Sequence, residues 1–166
     1  GYDLANELIE QALSLEHAEK NVELIAISGN QHSVPALERN KGLEQAVKEK
    51  DATLRQLVFG LWNPENAKLQ SKGLLHRYPE VSVIWTASDS IALGALNGVK
   101  ESGRQPGKDV LIGGVDWFPE ALEAIEKGEI AASAGGHFLE GACALLMLYD
   151  YQHGVDFVKN DSAQFK

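Results

Sequence analysis

The sequence predicts a three-layer α/β/α domain with a five-stranded, mainly parallel sheet, which is the flavodoxin-like architecture. Short apolar, β-rich runs alternate along the chain with segments of helical periodicity, and this alternation is typical of parallel sheets. The runs are almost continuously apolar, as expected for strands that helices cover on both faces. A chain of 166 residues, 44% of them hydrophobic, is long enough to bury a real core as one domain.

Each element is predicted from its own local pattern. Apolar residues at helical spacing predict the first helix over 3–18. Asn63 suits an N-cap and Pro64 the first helical position, so they begin a helix over 63–79, whereas Gly103 ends the helix over 88–103. We predict strands over 22–28, 54–62, 81–87, 109–116 and 130–136, further helices over 35–50, 118–129 and 137–152, and a short strand at 155–158.

Composition excludes several classes of protein. The net charge of −9, without a basic stripe, argues against nucleic-acid binding by this domain. No apolar run approaches the roughly 20 residues of a membrane span. The amphipathic, acid-containing segment at residues 1–13 is not a signal peptide. Cys143 has no partner for an internal disulfide, and we expect it to be buried as a small hydrophobe.

Polar and aromatic side chains follow the predicted strands, at the edge where ligands of open parallel sheets bind. None of them is Lys or Arg, and the nearest basic residue is Arg39, inside the second helix. Amides, hydroxyls and carboxylates suit a neutral ligand such as a sugar, whose C–H face packs on indole rings. The candidate ligand-binding residues are Asn30, Gln31, Trp62, Ser88, Asp89, Asp116, Trp117 and His137.

Trp85 is not among these candidates, because it lies inside a predicted strand, and we expect it in the core. Each candidate also has a purely structural interpretation. The structural alternatives are helix capping for Ser88 or Asp89 and for Asp116, core packing for Trp62, a shielded turn position for Trp117 and a helix-start position for His137.

Signatures of enzymes are missing from the sequence. The chain has no G-x-S-x-G elbow, no P-loop and no G-x-G-x-x-G after the first strand. Its histidines lack metal-ligand spacing, so neither a metal nor a cofactor is expected. A phospho-acceptor domain of the response-regulator type needs an acidic cluster after strand one and a late lysine, which are also missing. We therefore expect a protein that is not an enzyme.

Two long stretches resemble a known family. The segment "PEVSVIWTASDSIALGALNGVKESGRQPGKDVLIGGVDWFPEALEAIEKGEIAAS" resembles the C-terminal lobe of type 1 periplasmic binding proteins, the ribose-binding-like group. Upstream, "ISGNQHSVPALERNKGLEQAV" is similar to the first strand and following helix of that lobe. The resemblance runs from about residue 3 to about residue 153 and implies a single lobe over 1–166, without the N-terminal lobe of a two-lobe protein.

The resemblance also implies which residues bind the ligand. Trp62 stands where the family often has a stacking aromatic, and Asp116 where it has a carboxylate for sugar hydroxyls. Ser88 replaces a common Asn, and two positions depart from pentose-binding relatives: Leu37 replaces Arg and Gly136 replaces Gln. Residues that would compensate for these departures are Asn30, Gln31 and His137.

The function implied by the resemblance is that of an extracytoplasmic, periplasmic or lipid-anchored, solute-binding protein. Such a protein closes around a sugar between two lobes and delivers it to an ABC transporter permease or a membrane sensor. The alternative is the cytoplasmic effector-binding domain of a lactose-repressor-type transcription regulator, which shares the fold. The helix over 137–152 is apolar nearly all round, so we expect it to fold back or to form a homodimer.

Overall fold

The computed structural model describes residues 1–15, 21–136 and 138–155. They form two compact units, the first over Gly1–Ala134 and the second beginning at Gly135. The first unit holds every strand of the described chain and five helices, and the second holds one helix. The elements are α1 Tyr2–Leu13, β1 Val22–Ser28, α2 Val34–Glu49, β2 Ala52–Phe59, α3 Pro64–Arg77, β3 Val83–Thr86, α4 Asp89–Glu101, β4 Leu111–Val115, α5 Pro119–Glu126, β5 Ala132–Ala134 and α6 Phe138–Gln152.

The strands of the described residues form one parallel sheet in the order β2-β1-β3-β4-β5. The chain moves outward from β1 to β2 and then returns past β1, so the direction of winding reverses between β1 and β3. Right-handed crossovers therefore place α2 on one face and α3, α4 and α5 on the other, while α1 packs beside α2. This arrangement confirms the predicted three-layer α/β/α fold with a five-stranded parallel sheet.

The core consists of the strands and the inward faces of the helices. β1, β3 and β4 are buried almost completely, and Trp85 on β3 is 0% exposed, as predicted. Glycines on β4 permit close packing: a Cβ at Gly113 would lie 2.6 Å from Leu8 Cδ1 of α1. Asn63 caps α3 through its Oδ1, which accepts from the amides of Glu65 and Asn66.

Several predicted boundaries were wrong. The first helix ends at Leu13, and residues 16–18 of its predicted span lie outside the described residues. The second strand covers Ala52–Phe59 and stops before Leu61 and Trp62, which adopt φ values of 57° and 58° in a turn. The predicted strand at 155–158 lies outside the described residues apart from Val155, which belongs to no element.

Cys143 is exposed, so the prediction that it is buried was wrong. The prediction relied on the apolar run around it, and the structure leaves the large side chains of that run exposed. They are Leu145, Leu146, Met147, Leu148, Tyr149 and Tyr151, with exposed fractions from 53% to 70%.

Candidate ligand-binding edge of the sheet

The carboxyl ends of β1 to β4 bring polar side chains of four loops to one edge of the sheet. This edge includes the point between β1 and β3 where the winding reverses, which is where open α/β sheets form a crevice. Backbone bonds extend the pairing beyond the strands: the amide of Ala87 donates to Ile27 O at 3.0 Å and that of Gly60 to Ser28 O at 2.8 Å. The loops are therefore held in register with one another.

Asp116 follows β4 in an unusual backbone conformation. Its φ is 123° and that of Trp117 is 61°, both in a region that non-glycine residues rarely occupy. The amide of Asp116 donates to Ala134 O at 2.8 Å, and its side chain is 20% exposed. Capping of α5 was the structural alternative for Asp116. The N-cap position of that helix belongs to Phe118.

Arg39 is the residue of this edge that sequence reasoning missed. Its guanidinium donates to the carbonyl of Ala87, and its Nη2 lies 3.3 Å from Oδ1 of Asp116. The same group lies 5.9 Å from the centroid of the Trp62 ring, within the range of a cation–π contact. The expectation that the edge has no basic side chain was therefore wrong, because the long side chain reaches it from inside α2.

The position of Trp62 is defined by a strained turn and a glycine. Leu61 and Trp62 both have left-handed φ values, and the amide of Leu61 donates to Gly29 O at 3.3 Å. The indole packs so closely on Gly29 that a Cβ there would overlap three of the ring atoms. Trp62 is half-buried and packs against the core, as its structural alternative requires, and its role in stacking on a ligand stays a prediction.

Ser88 and Asp89 have different structural roles. Ser88 is the N-cap of α4, and its Oγ accepts from the amide of Ile91 at 3.3 Å. Asp89, the first residue of α4, is 0% exposed. Its Oδ2 accepts from the amide of Phe118 at 2.8 Å and its Oδ1 from Ser133 Oγ at 2.7 Å. Burial raises the pKa of Asp89, and the bonds from Ser133 and Phe118 partly oppose that rise.

The remaining candidates differ in exposure and in their hydrogen bonds. Trp117 is 42% exposed, and its Nε1 donates to Ser133 O at 2.8 Å. Asn30 and Gln31 are exposed, and Oδ1 of Asn30 accepts from the amide of His32 at 2.9 Å. Leu37 is 43% exposed, two positions before the arginine that reaches the edge. Gly136 belongs to the second unit, and His137 lies outside the described residues.

Chemically, the edge combines the guanidinium of Arg39 with the carboxylate of Asp116 and the indole of Trp62. Because Arg39 faces Asp116, their charges largely cancel, which suits a neutral ligand better than an anion. Hydroxyl groups both donate and accept, so they match a carboxylate beside a guanidinium. Within the part of the chain that the structure describes, no three His, Cys, Asp or Glu side chains cluster as metal ligands.

The sequence matches a known family over most of its length. The family model described as "Periplasmic binding protein domain" matches residues 2–154. The chain belongs to this family. A periplasmic sugar-binding protein from Pseudomonas fluorescens, known as a crystal structure, is 41% identical and superposes on 93% of this binding-protein domain with a TM-score of 0.84. The domain thus has the fold of a lobe of such proteins.

Two curated relatives of this periplasmic binding protein domain differ in their named functions. The galactofuranose-binding protein YtfQ of Escherichia coli is 25% identical over 134 residues, which cover 78% of this chain. The HTH-type transcriptional regulator CelR of Thermobifida fusca is 32% identical over 97 residues, or 56% of this chain. The matched residues span 42% of YtfQ and 28% of CelR, so this chain is about half as long as such relatives or shorter.

Among the described residues, no helix combines the length and apolar character needed to cross a membrane.

Proposed function

We propose that this domain is one wall of a sugar-binding cleft in a two-lobe periplasmic solute-binding protein, and that it is not an enzyme. The observation that carries the proposal is the contact of Arg39 with both Asp116 and Trp62 at the carboxyl edge of the sheet. Relatives named for sugar binding support the choice of ligand. Their location in the periplasm supports the same compartment for this protein.

In the proposed complex, Trp62 packs against the C–H face of the sugar, while Asp116 accepts hydrogen bonds from its hydroxyls. Arg39 donates to sugar oxygens and orients the carboxylate of Asp116. Ser88, at 4% exposure, offers its hydroxyl at the base of the site. Asn30, Gln31, Trp117 and His137 remain proposed ligand contacts.

The other wall of the cleft would come from a second lobe. The matched relatives are about twice as long as this chain, which leaves room for a lobe of similar size. Closure of two lobes around the sugar would create the surface that an ABC transporter permease or a membrane sensor recognises. One wall alone makes only part of the contacts, so we expect the 166-residue chain to bind sugars more weakly than the complete protein.

Calorimetric titration tests the proposal on the protein expressed from its complete gene. D-allose, D-galactose, D-ribose and L-arabinose are titrated into the unmodified protein and into Asp116→Asn and Trp62→Ala. A hydrogen bond to a charged group is worth about 1.5–3 kcal/mol, so Asp116→Asn should weaken binding by about 10- to 150-fold. Asp51→Asn removes the same charge from an exposed position outside the site and serves as the matched control.

If the unmodified protein binds a sugar, and neither Asp116→Asn nor Trp62→Ala changes its affinity, the ligand binds elsewhere. If none of the four sugars binds, the sugar-binding proposal is overturned.

A second candidate is the effector-binding domain of a transcription regulator, which the match to CelR favours. The two candidates differ in what precedes the domain in the complete gene. A signal peptide there supports the periplasmic receptor, whereas a basic helix-turn-helix segment supports the regulator. Binding of the complete protein to DNA in a salt-dependent manner would favour the regulator.

A further inference from the structure

The turn that carries Asp116 is held by hydrogen bonds at three successive amides. The amide of Asp116 donates to Ala134 O at 2.8 Å, and that of Trp117 to Ser133 Oγ at 3.4 Å. The amide of Phe118 donates to Oδ2 of Asp89 at 2.8 Å. Two of the three acceptors are side-chain oxygens, so this conformation depends on specific residues outside the turn.

Asp89 is the centre of this network. One carboxylate oxygen accepts from Phe118 in the turn and the other from Ser133 on β5, at 2.8 Å and 2.7 Å. Ser133 connects Asp89 to Trp117. Its Oγ accepts from the backbone amide of Trp117, and its carbonyl accepts from the indole nitrogen of the same residue. Gly114 makes room for the carboxylate, since a Cβ there would overlap Oδ1 of Asp89.

The network explains how an unfavourable backbone persists. Asp116 and Trp117 have φ values of 123° and 61°, which a free chain would seldom adopt at two successive non-glycine residues. Such a conformation survives only where surrounding contacts over-determine it. Here the contacts come from α4 and β5, and the carboxylate of Asp116 in this turn lies 3.3 Å from Nη2 of Arg39.

We propose that Asp89, together with Ser133, is a positioning residue that holds Asp116 in the orientation needed for sugar binding and does not itself contact the sugar. The inference rests on the proposed function, since it concerns the same site. It revises the role expected for Asp89 from the sequence, because the side chain is 0% exposed and both its oxygens accept hydrogen bonds.

The first test examines the turn without any ligand. Asparagine at position 89 has nearly the same shape but one acceptor oxygen, so it cannot serve both donors. We expect the amide of Phe118 in Asp89→Asn, and that of Trp117 in Ser133→Ala, to exchange with deuterium at least about tenfold faster, measured by NMR. Ser133→Thr keeps the hydroxyl and should retain slow exchange. Unchanged exchange in both Asp89→Asn and Ser133→Ala overturns the proposal.

The second test asks whether the network acts through Asp116. The probe is whichever of D-allose, D-galactose, D-ribose and L-arabinose binds the unmodified complete protein most tightly. We expect Asp89→Asn and Ser133→Ala each to weaken binding about tenfold, or about 1.4 kcal/mol. Ser133→Thr keeps the hydroxyl and should keep the affinity of the unmodified protein. In an Asp116→Asn background, the same substitutions should have no further effect, because the carboxylate that they position is gone.

The outcomes separate this inference from the proposed function. If Asp116→Asn weakens binding but Asp89→Asn and Ser133→Ala do not, the positioning role is wrong and the sugar site stands. If Asp89→Asn weakens binding equally with and without Asp116, Asp89 acts independently of Asp116, which also overturns the inference. If no sugar binds, the proposed function falls and this inference falls with it, whereas the exchange experiment still reports whether the network holds the turn.

Discussion

At the scale of single residues, Gly29 determines where Trp62 can lie. The φ of Gly29 is not in the left-handed region, so alanine is compatible with the backbone there. The three atoms nearest to a Cβ at Gly29 would all belong to the indole of Trp62, whose ring occupies that space. Any larger residue at position 29 would therefore collide with the indole of Trp62.

We expect Gly29→Ala to displace the indole and to weaken sugar binding by about tenfold, or about 1.4 kcal/mol. Calorimetric titration of the complete protein measures the affinity. A change in tryptophan fluorescence on Gly29→Ala that is absent in a Trp62→Ala background reports the displacement. In a Trp62→Ala background, Gly29→Ala should change nothing more, since the clashing ring is missing. An undiminished affinity in Gly29→Ala would mean that the indole is not needed where the structure places it.

Asp89 should also give the stability of the protein a distinctive pH dependence. Burial raises the pKa of Asp89 in the folded protein above the value of about 3.9 for an unfolded chain. The folded state therefore binds this proton more tightly, and the stabilisation is fully present below about pH 3.9 and is lost as the pH rises through the folded pKa. Asparagine at this position does not titrate.

The measurement is the free energy of unfolding in urea for the unmodified protein and for Asp89→Asn between about pH 3 and pH 7. We expect the unmodified protein to lose stability relative to Asp89→Asn as the pH rises, because only the unmodified protein has this buried, titrating carboxyl group. The raised pKa is contradicted if the difference in the free energy of unfolding between the two proteins stays constant with pH. It is also contradicted if the unmodified protein gains stability relative to Asp89→Asn as the pH rises.

Part of the site was predictable at this scale and part was not. Ser88 and Asp116 follow β3 and β4, and their placement at the edge follows from the position of strand ends alone. Arg39 was not predictable in this way, because it lies inside α2 and reaches the edge only through a long side chain. The burial of Asp89 depends on Gly114 and Ser133 on other strands, and local sequence carries no signal for such contacts.

At the scale of elements, the order of helices and strands was predicted correctly over the described residues, and boundaries were the main errors. The apolar residues Leu61 and Trp62 extended the predicted second strand, although their backbone leaves the β region. Hydrophobicity predicts burial but not φ, so an aromatic residue in a strained turn after a strand is easily assigned to the strand. The boundaries that were predicted from proline and glycine agree with the structure. Pro64 begins α3, and Gly103, with a φ of 80°, follows α4.

The contact of α3 with α4 depends on a glycine of α4. A Cβ at Gly94 would overlap the backbone carbonyl of Pro64 at the start of α3, which cannot move aside as a side chain would. Gly73, on α3, has no atom within 4 Å of such a Cβ and is exposed. The two glycines are therefore a matched pair with opposite expected effects.

We expect Gly94→Ala to lower the free energy of unfolding by about 1–3 kcal/mol, because overpacking outweighs the better helix propensity of alanine. Gly73→Ala should raise it by about 0.5–1 kcal/mol, since only the propensity changes. Equilibrium unfolding in urea gives both values. If the two substitutions change stability in the same direction, packing between these helices does not decide the effect.

At the scale of the whole molecule, the charge and the apolar surface of α6 have opposing effects on self-association. The net charge of −9 repels copies of the chain from one another. The helix α6 exposes six large apolar side chains between Leu145 and Tyr151, more than a monomeric protein ordinarily leaves in contact with water. In the 166-residue chain this surface is available to a second copy.

We expect the 166-residue chain to self-associate, and to do so more strongly at higher salt, because screening weakens the repulsion while apolar contact remains. Sedimentation velocity over a range of concentrations measures the association. Leu145→Lys combined with Leu148→Lys places charges one turn apart on α6 and should shift the chain towards monomer. Leu69→Lys changes a leucine that is 67% exposed on α3 and should leave association unchanged. A chain that stays monomeric at every concentration and salt would show that the α6 surface does not drive assembly, whereas an equal response to Leu69→Lys would place the contact elsewhere.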